Sequence, residues 1–183
     1  MQEERSRKPV EGVGMRRMIA VLAMATGLVC LSSSSALARG DHWTFIPTPP
    51  FELPSSVCGF PVQVTTPVSK EYAKTVFQSD TTIVMLVTGG LKTQFANADT
   101  DTSFTVNNPG PGTIVIDLQT GVAHVTGQGP WTLFFLPEDQ AQFGVPGIMF
   151  ISGRFTETLD TTTNDVIALS FQGHTEDVCA AIA

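Results

Sequence analysis

A period of two governs this chain. Val62, Val64, Thr66 and Val68 alternate with Gln63, Thr65 and Pro67, and Thr81–Val87 is a continuous apolar run of strand length. Alternation sends successive side chains to opposite faces of a sheet, whereas a helix needs apolar residues at i, i+3, i+4 and i+7. No window sustains that helical spacing for three turns. Beyond residue 38 the chain carries 22 Thr, 14 Val and 12 Phe but only three Lys, so the residues that fit a pleated surface dominate.

Turn residues divide the remainder into short segments. Leu91–Phe95 follows Gly89-Gly90, which reads as a hairpin because both positions tolerate positive φ. Ser103–Asn107, Thr113–Leu118, Val122–Thr126, Trp131–Leu136, Ile148–Leu159 and Val166–Gly173 follow as strands, and Lys70–Phe77 reads as a strand in preference to a short helix. Between them lie Asn108–Gly112, Gln119–Gly121, Gly127-Gln128-Gly129-Pro130 and a longer loop over Pro137–Gly147. Parallel neighbours would need crossovers of a dozen residues or more, so these short links predict an antiparallel sheet. The expected fold is all-β: an antiparallel up-and-down barrel or barrel-like sandwich of about eight or nine strands.

The first 38 residues have a different character. Arg16 and Arg17 precede an apolar run from Met18 to Leu31, followed by a serine run and Ala36-Leu37-Ala38. This is the pattern of a secretory signal cleaved after Ala38, with a hydrophobic stretch shorter than the ~20 residues of a bilayer span. Met15 or Met18 would serve as its start as well as Met1. The pair Arg16-Arg17 is compatible with twin-arginine export, but Met18-Ile19-Ala20 fits that signal poorly, and Val29 is wrong for lipid attachment at Cys30. Residues 39–54, with Pro47, Pro49, Pro50 and Pro54, read as a Pro-rich extended arm, and 55–183 as a single all-β domain.

Removal of the signal sharpens the charge. The whole chain stands at −7; from Arg39 onward five basic residues face fourteen acids, a net charge of −9. Such a chain is a poor partner for nucleic acid or anionic membrane. Two cysteines remain, Cys58 and Cys179, which in an exported chain read as one structural disulfide.

The segments Glu52–Val62, Gly153-Arg154 and Gly173-His174-Thr175-Glu176-Asp177-Val178-Cys179-Ala180-Ala181 resemble a group of small exported proteins of high-GC Gram-positive bacteria, over nearly the whole of Phe51–Ala183. The Asp-Val-Cys-Ala tail is the most specific part. The resemblance implies secretion and a shared disulfide frame, and it carries no catalytic residue across.

Chemistry is mostly excluded. His42, His124 and His174 have no i, i+2 or i, i+4 partner that would seat a zinc ion. A Gly-x-Ser-x-Gly elbow and a phosphate-cradling glycine loop are both missing. Asn97, Asp99, Asp101 and Ser103 resemble the start of a calcium loop, with Asp99 and Asp101 its weak metal candidates. Phe104 stands where the turn glycine belongs, so a solvated hairpin loop is the plainer reading. Glu157 and Asp117 are two acids for a glycosidase pair, although strand phase sets Glu157 among Met149, Ile151 and Phe155. The default for Glu157 is an outward acid near a strand end.

Arg154, mid-strand beside Ser152 and Thr156, would line the interior of a closed barrel and could hold an anionic group there. Arg154, Ser152, Trp131, His124 and Gln172 are therefore the candidate ligand-binding residues, with Trp131 placed to cap a cavity mouth. No motif calls for a cofactor. The expected function is a non-catalytic binding or structural module at the cell surface or outside the cell. Its expected partner is an extracellular protein, a cell-wall component or a small molecule. The alternative is a β-barrel carrier or enzyme for a small hydrophobic or lipid-like molecule, lipocalin-like at fold level.

Overall fold

A computed structural model describes residues 42–183, so residues 1–38, read above as a secretory signal, lie outside the described residues. Among the described residues nine strands form one antiparallel sheet: β1 (Thr44–Phe45), β2 (Phe51–Leu53), β3 (Val62–Gln78), β4 (Thr82–Asn97), β5 (Ser103–Asn107), β6 (Gly112–Asp117), β7 (Val122–Phe134), β8 (Ile148–Asp160) and β9 (Val166–Asp177). The main path runs β1-β3-β4-β6-β7-β8-β9, with β2 added to β3 and β5 to β4. Three short helices join them: α1 (Ser55–Cys58), α2 (Pro137–Phe143) and α3 (Val178–Ala181). The sheet does not close edge to edge, and its form is that of a barrel-like sandwich.

The strands are longer than their turn residues imply. The Pro-rich arm supplies two edge strands, β1 and β2, both on β3. Pro67 has no N–H to give a ladder, and β3 passes it with a register shift between Thr65 and Val68. Gly89-Gly90 is no hairpin. β4 runs through it and changes partner there, from β6 over Thr82–Val87 to β5 over Lys92–Ala96. Gly89 has φ of 139°, and a Cβ on it would strike the Lys70 carbonyl, so glycine serves a close strand crossing rather than a turn. Gly127-Gln128-Gly129-Pro130 is likewise inside β7, because Trp131 and Phe155 take the space that side chains on Gly112 and Gly127 would fill.

Two hydrophobic cores follow. Val87, Trp131, Leu133, Phe135, Met149, Ile151 and Phe155 form one. Leu53, Val57, Val62, Val64, Phe95, Ile148, Val178 and Ile182 form the other, with Phe134 against it. Leu133 and Phe134, and Met149 and Ile148, are chain neighbours, so the cores lie on opposite faces of β7 and β8. Between the layers a polar bridge forms: Thr132 Oγ1 donates to Asn108 Oδ1 (3.1 Å), and Asn108 Nδ2 donates to Thr93 Oγ1 (3.2 Å). That chain satisfies Thr93, which is 4% exposed.

Cys58 and Cys179 are disulfide-bonded, with Cα atoms 5.2 Å apart across 121 residues of sequence. The bond ties α1 to α3 directly over the second core. Serine at either cysteine is expected to lower the unfolding free energy by ~2–5 kcal/mol, measured by urea titration. Unfolded, unreduced protein should show no free thiol at these two positions.

Candidate functional site

Register decides which residues share a face. Leu86 pairs with Thr113, Thr113 with Thr126, and Thr126 with Thr156, in one row across β4, β6, β7 and β8. Two residues along, Gln128 pairs with Arg154 and Arg154 with Gln172. The intervening row, Val87, Gly112, Gly127 and Phe155, turns its side chains or its empty glycine positions to the core. Arg154, Ser152, His124 and Gln172 therefore share one face, and all four are exposed. That face is the outside of the sheet.

A groove of about 530 Å³ crosses this face. Leu86, Thr113, Thr126 and Thr156 form one wall, and Thr88, Pro111, Gln128 and Arg154 the other. Its floor is the backbone of the glycine-containing row. Trp43 closes one end, 46% exposed, and Arg154 stands toward the other. Three interstrand spacings separate β4 from β8, about 14 Å at ~4.8 Å each.

The sequence-derived residues separate on this geometry. Arg154 lines the groove. Ser152, Gln172 and His124 lie beside it on the same face, where His124 Nδ1 and Thr158 Oγ1 are hydrogen-bonded at 2.9 Å. Trp131 belongs to the core instead: it is 9% exposed, stacks edge-on against Phe155 at 5.3 Å and has an unpartnered indole N–H. It caps no cavity mouth, since its side chain is on the opposite face from Arg154. The interior that a carrier would need is filled by Val87, Val125, Phe155 and Leu169.

Sequence reasoning missed Trp43, Gln128 and the threonines. Trp43 sits in the proline arm, and Gln128 sits in a glycine stretch read as a turn. Only cross-strand register brings them together.

The acids are also reassigned. Asn97 turns inward and donates to the Ile182 carbonyl at 3.1 Å, while its own Oδ1 accepts from Asp99 N–H at 2.9 Å. Asp99 and Asp101 thus occupy a tight turn whose asparagine is committed elsewhere, and no group of three metal-binding side chains occurs among the described residues. Asp117 is half-buried and accepts from Thr120 and Gln119 N–H, which lowers its pKa. Glu157 points inward between Val125 and Leu169 rather than outward. Its acidic neighbour is Asp139 of α2, 4% exposed, whose Oδ1 accepts from Val166 N–H at 3.1 Å. Glu157 and Asp139 are two carboxyl groups together, but they lie behind the sheet from the groove.

Comparison with protein-family models, curated proteins and solved structures yields no match.

Burial, with a smaller contribution from Asp139, pushes the Glu157 carboxyl up to about 7 from 4.5. The folded state therefore favours the protonated form. Its contribution to stability is complete below about pH 4.5 and is lost as pH rises through about 7. Unfolding free energy is expected to fall over that window by up to about 3 kcal/mol from this group. Urea unfolding from pH 5 to 8 measures it, and Glu157→Gln should flatten the slope and raise stability at pH 8.

Proposed function

We propose that this protein is a secreted, non-catalytic binding module that holds an extracellular partner, a cell-wall component or a small molecule, in the groove on the outer face of β4, β6, β7 and β8. The groove itself carries this reading. It gathers an exposed aromatic ring, a guanidinium, an amide and several hydroxyls on a rigid sheet, the mixture of apolar surface and directional hydrogen bonders that ligand sites use.

The disulfide, the signal-like N-terminal pattern and the resemblance to small exported proteins support a place outside the cell. Among the described residues no helix is long and apolar enough to cross a membrane. A binding role suits the groove better than hydrolysis does, because the paired carboxyls Glu157 and Asp139 are inside. The carrier alternative draws less support, since Arg154 faces away from the packed interior.

Backbone-amide NMR of labelled protein titrated with a panel of soluble saccharides and short peptides tests the reading. Resonances of Thr113, Thr126, Gln128, Arg154 and Thr156 should shift together, with the ligand recovered chemically intact. Shifts confined to residues elsewhere would move the site, and conversion of the ligand would make the protein an enzyme. Thr126→Trp, which fills the groove, should abolish the shifts while leaving the circular dichroism spectrum unchanged.

A further inference from the structure

The charges of this acidic chain are sorted by face. Among the described residues the cations are Lys70, Lys74, Lys92 and Arg154, and strand alternation sets all four on the groove side of their strands. Lys74 pairs with Leu86, which forms the groove wall beside Trp43, and Arg154 stands toward the far end. The strand acids Glu71 and Glu157 are on the opposite face. Most other acids sit in turns or at strand ends: Asp80, Asp99, Asp101, Asp160, Asp165 and Asp177. The acids on the groove's side, Glu52, Asp117 and Glu176, do not line the groove. Among the described residues Arg154 is the one charged side chain that lines the groove.

Resting on the binding reading above, we propose that the groove takes an acidic saccharide, with Arg154 bound to a sugar carboxylate and Trp43 against the apolar face of a ring. A guanidinium matches a carboxylate with two parallel N–H···O bonds, which a lysine cannot reproduce. An indole face fits the C–H side of a pyranose, and Thr113, Thr126, Thr156 and Gln128 offer donors and acceptors for ring hydroxyls. The flat floor, a row of backbone whose side-chain positions turn to the core, admits an extended ligand along the ~14 Å between β4 and β8. A single cation at the groove end suits a short acidic oligosaccharide rather than a dense polyanion, which the net charge of the domain would repel.

Calorimetry of the protein with trigalacturonate, its neutral methyl ester and inorganic phosphate tests the proposal. The acid should bind at least about tenfold more tightly than the ester, as one charge-assisted pair contributes. Arg154→Ala should remove that difference, Arg154→Lys should restore only part of it, and Trp43→Ala should weaken acid and ester alike. Equal affinity for acid and ester would overturn the acidic-saccharide assignment while leaving the groove a binding site. Binding of phosphate as tight as that of the trisaccharide would overturn the saccharide part. No binding of any saccharide would overturn the proposal, and amide shifts with other ligands then decide whether the binding reading survives.

Discussion

Strands β7 and β8 pair without a break from Val122 opposite Asp160 to Phe134 opposite Ile148, and both hydrophobic cores are packed against this one ribbon. One core takes Leu133, Met149 and Ile151 from its inner face. The other takes Ile148 from the outer face, with Phe134 packed against it. A slip of one residue would exchange the two sets and expose both, so register here is held by burial on both sides. At its other end the same ribbon has only one covered face. The uncovered face is where Thr126, Gln128, Arg154 and Thr156 stand, and the groove exists because the second core stops short of them.

Glycine makes this arrangement possible at a few points. Gly112 and Gly127 give Trp131 and Phe155 room beneath the sheet, on the side away from the groove. Gly89 lets β3 and β4 approach closely where β4 leaves β6 and joins β5. These glycines thus serve packing between strands and behind the sheet. The disulfide acts on a different part: it joins the two helices that close the second core and leaves the groove untouched.

Acid placement has the same logic. Glu157 and Asp139 lie where the inner face meets α2, and Asp139 is satisfied by the Val166 N–H. These groups respond to pH through burial, while Arg154 and the threonines remain in contact with solvent. The buried acids and the proposed binding groove therefore lie on opposite faces of β8.

Much of this was written in local pattern. Period-two alternation, abundant Thr, Val and Phe, and short links determine an antiparallel all-β fold, because these properties act between near neighbours. The pairing of Cys58 with Cys179 was also legible, since two cysteines admit one bond within the chain. Glycine was not legible, because the same residue serves a turn and a close strand crossing, and only the packed neighbour distinguishes them at Gly89 and Gly127. Arg154, Ser152 and Thr156 were identifiable as one polar face of a strand, yet whether that face lines an interior or meets solvent depends on which side the cores cover. Trp43 and Gln128, 85 residues apart in sequence, became parts of one groove only through cross-strand register, a long-range property that no local pattern encodes.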